Sequence, residues 1–336
     1  MTSTPGSTDA TPFSFVCCVE AGRLEPMTVR LADSLRRYGG KYAKVPFYAV
    51  TPRQGPSLSR ETLRRFDALD VRYIRAPQKS PYTWYHFYNK PLALKLAEEQ
   101  ADTPFMAWLD CDLLVLDEPE EFALEDGYDF IAAAPGHDII GTTGPGDPHE
   151  PHWAKACEIV DVGLYDLPWI TAHVTQRRIR LYWQAGVFGY RRDTGLAADY
   201  LHCCDRLLDA GFGLPANGVH WLEQMALGFA MVRKGLAYTE LPESHNYAVA
   251  SYLDEERGDD VLEAARVLHY HDAMDPGYWD RFLSVMRHSH PEPATWLEPQ
   301  GPILDPQSRP VQLAAKLLRG WRLSQRRRHE SRSPVR

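Results

Sequence analysis

Four short apolar runs, separated by helix-patterned stretches, fill the first 110 residues and limit what this chain can become. The runs lie in Pro12–Gly22, Val45–Val50, Val71–Ala76 and Phe105–Leu109. Between the first two, Met27, Leu31, Leu35 and Tyr38 recur at helical spacing behind Pro26 and stop at Gly39-Gly40. Ser59–Leu69 reads as a short helix, and Asn89 caps another, with Pro91 in its first turn, that runs to about Gln100. Strands alternating with helices build an open, mostly parallel sheet with helices on both faces, an α/β fold of Rossmann-like type. Ligands of such sheets bind beyond the carboxyl ends of the strands.

The fourth run ends on acids. In WLDCDLLVLDEP the strand Phe105–Leu109 delivers Asp110-Cys111-Asp112, and apolar residues then resume at Leu113. An unpaired carboxylate costs on the order of several kcal/mol to bury. A divalent cation makes two of them tolerable, and hard cations keep phosphate oxygens in their shell. An Asp-x-Asp at a strand end therefore suits a metal-bound diphosphate, whereas a solvated turn with incidental acids needs no ligand at all.

The later chain is less regular. Asp129–Gly136 reads as a strand, His137–Trp153 as a long loop rich in Gly, Pro and His, and Leu181–Asp193 as a further strand. Leu196–Ala210, Val219–Lys234 and Tyr278–Met286 read as helices, and Ala265–His271 as a short strand ending in histidines. No internal repeat is present.

Composition removes several classes of function. With 336 residues and 44% apolar content, a large core is possible. No apolar run reaches the ~20 residues of a membrane span, and the leader, residues 1–11, lacks the pattern of a signal peptide. The six cysteines form two adjacent pairs and two singles, which is no disulfide framework, so a reducing, cytoplasmic setting is expected. His202-Cys203-Cys204 lacks the second ligand pair that a zinc site needs. Net charge is −8, yet Arg309–Arg336 carries nine Lys/Arg against one acid, which leaves −16 on residues 1–308. An acidic body argues against nucleic-acid binding.

The order of parts then matters: the α/β half, Asp110-Cys111-Asp112, Trp183-Gln184-Ala185-Gly186-Val187, His220-Trp221-Leu222-Glu223-Gln224, and Leu268-His269-Tyr270-His271. It resembles the GT-A glycosyltransferases, and is most similar to the branch containing glycosyltransferase family eight, over roughly Pro12 to Met286. The resemblance implies a metal-dependent enzyme that moves a sugar from a nucleotide diphosphate donor, a UDP-sugar, to an acceptor. It implies Asp110 and Asp112 as ligands of Mn²⁺ or Mg²⁺, with His269 or His271 completing the shell. The family's Gly and Lys-Pro-Trp after that histidine are absent here, and with them a lysine contact to the diphosphate. Mixed His and carboxylate ligation favours Mn²⁺. Gln184 and Gly186 stand where the family lines the donor sugar. Glu223 stands where a carboxylate binds sugar hydroxyls or acts as base. Val19, Glu20 and Ala21 fall where the base and ribose are held, and Lys90 where a cation approaches the donor. Retention at the anomeric carbon is the implied outcome; an inverting enzyme would need a base such as Glu223 or Asp138.

Two rivals stand beside this reading. Haloacid-dehalogenase phosphatases also carry Asp-x-Asp after an apolar strand, but this chain has Leu114 where they have Thr or Val, and its Gly258-Asp259-Asp260 follows a charged loop. A non-catalytic sugar-nucleotide binder would share the fold. The domain division expected is a leader over 1–11, a catalytic domain over 12–300, and a basic helix and tail over 301–336. In that last part Leu313/Ala314, Leu317/Leu318 and Trp321 recur at helical spacing before Arg326-Arg327-Arg328. A basic amphipathic helix of this kind suits peripheral contact with an anionic membrane.

Overall fold

The computed structural model describes residues 13–124, 127–215, 217–254 and 257–332; the expected leader and the last four residues lie outside these. The first half runs β1 (Phe13–Cys18), α1 (Leu24–Tyr38), β2 (Phe47–Thr51), α2 (Arg60–Ala68), β3 (Val71–Arg75), α3 (Asn89–Glu98), β4 (Phe105–Leu109), β5 (Leu113–Val115) and β6 (Phe130–Ala133). Then follow α4 (Glu150–Val160), β7 (Trp169–Thr171), β8 (Arg178–Arg180), β9 (Gln184–Arg191), α5 (Leu196–Asp209), α6 (Leu222–Arg233) and β10 (Tyr238–Leu241). The chain continues with β11 (Tyr247–Ala248), α7 (Val249–Leu253), α8 (Asp259–Glu263), β12 (Val267–His269), α9 (Trp279–Ser289), α10 (Pro291–Leu297) and α11 (Arg309–Arg332).

Seven strands form the central sheet in the order β10-β6-β9-β4-β1-β2-β3. β1 through β4 are parallel where they pair, as the strand–helix alternation requires. Successive side chains of β1 enter opposite cores: Phe13, Phe15 and Cys17 join one, Val16 the other. A strand buried on both faces has this all-apolar pattern. α1 packs with Met27, Leu31 and Leu35 buried, and the Gly39 N–H closes its end on the Leu35 carbonyl at 2.9 Å. A side chain at Gly39 would meet that carbonyl at 2.5 Å.

Two features that the sequence reading leaves unspecified shape the site. β9 runs antiparallel between β4 and β6, so the sheet is mixed. Its first residue, Gln184, consequently lies at the same end as the last residue of β4. The chain also leaves the large sheet at Asp110-Cys111-Asp112. β5 turns away and pairs with β12 in a separate three-stranded sheet, β11-β12-β5, with Leu113 directly opposite His269. The resumed apolar run after Asp112 is thus the entry into a third core, formed by Leu114, Leu116, Leu268, Phe282 and their neighbours.

The long loop is shorter than expected. It ends at His149, and α4 takes up Trp153, fully buried, with its indole N–H on the Ile140 carbonyl at 2.7 Å. Trp153, Ala156, Cys157 and Val160 share the buried face, a periodicity hidden by the Gly- and Pro-rich stretch before it. Asn89 is the first residue of α3 and does not cap it; its side-chain N–H donates to Glu20 at 3.2 Å. All six cysteines are free. Among the described residues no helix is long and apolar enough to cross a membrane.

Candidate active site

Asp110, Asp112 and His269 each offer one ligand atom, and these atoms all lie within 4.8 Å of one another. Three strands bring them together. The backbone N–H of Asp110 is held by the Gly186 carbonyl at 2.8 Å, which fixes the end of β4 against β9. The Asp112 carbonyl accepts from the Tyr270 N–H at 3.0 Å, which fixes the turn against the end of β12. Gly186 makes room for the histidine: a Cβ there would stand 3.0 Å from the His269 ring and press on it.

Hydrogen bonds orient each group. Asp110 accepts from the Trp108 indole at 2.7 Å and from the Lys90 ammonium at 3.1 Å. His269 presents Nε2 to Asp112 at 3.2 Å, while Nδ1 meets the Asn246 amide oxygen at 3.0 Å. A metal-ligating imidazole is typically held in this way through its other nitrogen. His271 stacks on His269 with ring centroids 3.9 Å apart and lines the cleft, but it is not in the three-residue group. Its backbone φ is +49°, in the region that side chains disfavour, so the chain turns sharply just after β12.

Lys90 is no surface residue. It is 6% exposed and bridges Asp110 and Glu223, the latter at 3.0 Å, while also donating to the Ala185 carbonyl at 2.8 Å. Burial opposes its charge, but the two carboxylates hold its pKa above the ordinary lysine value. Glu223 is 1% exposed and lies behind the cleft, bonded to the Tyr200 hydroxyl at 2.9 Å. Burial pushes its carboxyl above the usual range, with Lys90 pulling the other way. Asp110 is likewise raised, by burial first and by Asp112. Burial acts on Asp112 in the same sense, but His269 overrides it and keeps this carboxyl below the ordinary range. The His269 imidazole is in turn raised by Asp112 against the pull of burial.

Charge and donor chemistry agree with a cation. Asp110 and Glu223 share the Lys90 ammonium, while Asp112 faces His269, so three carboxylates gather against one lysine and one imidazole. The donor set, two carboxylate oxygens and one imidazole, suits a divalent metal ion.

These residues border a cleft of about 380 Å³. That is a usual size for a small-molecule site. Gln184, Gly186 and Lys90 line it, as do two residues the sequence reading left out of the site, Asn246 and Gln224. Gln224 is adjacent to Glu223 and points the other way, which the helical turn explains; only the pairing of β11 with β12 brings Asn246 in. The far wall comes from Pro135–Ile140, His173 and Val174. Of the aromatic cluster at Trp84–Tyr88, Phe87 reaches the cleft, whereas Trp84, Tyr85 and Tyr88 are buried.

Val19 is turned into the core, with its N–H and carbonyl both bonded to β2 and Thr51. Glu20 and Ala21 instead border a second cavity beside the cleft. Asp138 is held by Arg177 at 2.8 Å. Gly258-Asp259-Asp260 opens α8, and none of the three lines the cleft.

Comparison with known proteins places the chain. No curated protein sequence matches it. Among solved structures it is similar to the galactosyltransferase LgtC in complex with donor and acceptor sugar analogs, at 11% identity and a TM-score of 0.47, over 82% of this chain and 96% of that one. An active-site mutant of LgtC gives 12% identity and a TM-score of 0.48, over 82% and 95%. The apo bifunctional glycosyltransferase WbbM gives 12% and 0.47, over 88% of this chain and 52% of that one. The assignment rests on none of these. It rests on the Rhodobacterales glycosyltransferase domain, whose family profile matches residues 15–235, a span that holds Asp110, Asp112, Gln184 and Glu223. With more than half its length so matched, the chain is a glycosyltransferase and belongs to the Rhodobacterales glycosyltransferase domain family.

Proposed function

We propose that the enzyme takes its sugar from a nucleotide diphosphate donor, a UDP-sugar, with Mn²⁺ or Mg²⁺ held by Asp110, Asp112 and His269. The observation that carries this is the gathering of one ligand atom each from Asp110, Asp112 and His269 within 4.8 Å of one another at the carboxyl end of β4. A bound cation would supply compensation for the charge that develops on the departing diphosphate. The chain's own residues do the rest. Lys90 holds Asp110 in place and adds a fixed positive charge beside the donor. The amides of Gln184 and Gln224 face the cleft and present donors and acceptors to sugar hydroxyls. Phe87 and Trp221 offer apolar faces on which a sugar ring stacks. The wall at Pro135–Ile140 screens the site from water, which would compete with the acceptor.

Retention is the proposed stereochemical outcome. Neither acid named for an inverting route is free to act as base: Glu223 is enclosed with Lys90 and Tyr200, and Asp138 is paired with Arg177. Turnover settles the main reading, against both a phosphatase and a non-catalytic binder. Nucleoside diphosphate release from a panel of nucleotide sugars should require Mn²⁺ or Mg²⁺ and stop in EDTA. Release of phosphate from simple monoesters, or no turnover of any nucleotide sugar, would sink it.

The setting proposed is cytoplasmic, with α11 touching the inner membrane face. Leu313, Leu317 and Trp321 are exposed along one side of α11, and Lys316, Arg327 and Arg328 flank them, a pattern that suits anionic lipid. Removing 312–336 should reduce binding to phosphatidylglycerol vesicles; equal binding by the shortened chain removes the idea.

A further inference from the structure

The ends of β1 and β2 meet α11 around the second cavity, of about 250 Å³. Glu20 enters it from the β1 loop, Arg53 from beyond β2, and Arg319 and Arg322 from α11. Arg322 lies on the side of the helix opposite Leu313 and Leu317, facing inward. The side chains of Arg53 and Arg322 are 8% and 9% exposed. These two guanidinium groups share one carboxylate. Arg53 holds Glu20 through two N–H groups, the second at 2.7 Å, and donates its remaining nitrogen to the Thr83 carbonyl at 3.0 Å. Arg322 stands 3.9 Å from the same carboxylate, beyond hydrogen-bonding distance. One of its terminal nitrogens donates to the Gln54 carbonyl, and its buried Nε has no partner among the described residues.

Two guanidinium groups against one carboxylate leave a surplus positive charge in a half-closed cavity. Burial and the nearby Arg53 bring the Arg322 pKa down to about 10, so the group stays charged at neutral pH. An enclosed charge that must share its one carboxylate with a second guanidinium is unfavourable, and an anion relieves it. Guanidinium forks suit phosphate oxygens in particular.

Position supplies the source of that anion. The cavity opens at the carboxyl ends of β1 and β2, where ligands of such sheets bind. It adjoins the cleft through α3: Asn89 bonds Glu20, and the next residue, Lys90, bonds Asp110. We propose that Arg53 and Arg322 bind the phosphate groups of the donor nucleotide, so that α11 contributes a substrate-binding residue to the catalytic domain. This rests on the donor reading above. The lipid-directed face of α11 is its other side, so a lipid phosphate does not share the cavity.

Calorimetric titration of the full-length protein tests it, with UDP, GDP and uridine in Mn²⁺. Arg322→Ala should lose about tenfold or more in affinity for the nucleoside diphosphate that the wild type binds, and should leave uridine binding unchanged. Arg322→Lys, which keeps the charge and loses the fork, should fall between. Arg332→Ala, which removes the same charge from an exposed position of α11, should match the wild type. If Arg322→Ala does not fold, Arg322→Lys decides, with wild-type affinity counting against the proposal. Metal-dependent UDP or GDP binding by the wild type that Arg322→Ala fully retains would overturn the proposal and leave the donor reading standing. No nucleoside diphosphate binding by the wild type would end both. Loss of binding to phosphatidylglycerol vesicles by Arg322→Ala, with UDP or GDP affinity intact, would assign the arginine to lipid and overturn it as well.

Discussion

The cleft at the end of β4 and the cavity at the ends of β1 and β2 are neighbours with opposite surpluses of charge. In the first, three carboxylates gather against Lys90 and His269. In the second, two guanidinium groups share one carboxylate. Consecutive residues of α3, Lys90 and Asn89, tie the two together. A protein that folded for stability alone would gain little from either arrangement, since buried ionic groups are often matched or bettered by apolar packing. Side by side, they complement one ligand with a metal ion at one end and phosphates beside it.

The comparison breaks most readily at Lys90. Its replacement by Met strips the counter-ion from Asp110 and Glu223 together. We expect a stability loss of about 3–5 kcal/mol, as for other broken buried pairs, read as a lower midpoint in urea unfolding at neutral pH. Adding Glu223→Gln should recover part of that loss. A Lys90→Met protein as stable as wild type would show that the carboxylates are not charged as described.

A smaller effect separates the two histidines. His269→Ala should weaken Mn²⁺ activation about 10–100-fold, in the range seen when metal-site groups are removed. His271→Ala should leave the Mn²⁺ titration nearly unchanged, because that ring packs against the ligand and is not grouped with the carboxylates. Equal shifts in both variants would contradict the grouping of Asp110, Asp112 and His269.

The smallest effect belongs to the basic cavity and depends on pH. Burial raises the Glu20 carboxyl, but its bonds to Arg53 prevail and hold it below the ordinary glutamate value. Its folded-state pKa is depressed, so its contribution to stability is present above the unfolded value and is lost as pH falls through the folded one. Glu20→Gln should therefore narrow the stability difference between neutral and acidic pH. An unchanged pH profile would deny the pairing with Arg53.

Some of this was legible in the sequence. Strands β1 to β4 and helices α1 to α3 follow from local periodicity, and Asp110 and Asp112 from two acids breaking an apolar run. His269 was legible by order along the chain, but its place opposite Leu113 depends on β5 leaving the main sheet. The reversed direction of β9 leaves no local mark, because either direction of a buried strand has the same apolar pattern. Lys90 falls by order along the chain where a cation approaches the donor, but its burial between Asp110 and Glu223 is set only by the tertiary fold. Val19 and Glu20 differ by one position, and in extended chain that sends their side chains opposite ways. The apolar stripe of α11 reads as a face suited to a membrane surface, and Leu313, Leu317 and Trp321 are exposed; that Arg322 on the other side packs inward leaves no mark in the pattern.

The central claim is that Asp110 and Asp112 end β4 because a cation and a nucleotide diphosphate bind there. Isothermal titration of UDP and GDP into wild type, Asp110→Asn and Asp112→Asn, each with Mn²⁺ and with EDTA, tests it directly. The account predicts that wild type binds one of the two nucleotides in Mn²⁺, and that EDTA or either substitution weakens binding at least about tenfold, since metal and phosphate share one shell and their binding is coupled. Equal affinity in EDTA and in both variants, or no binding of either nucleotide to wild type, would contradict it.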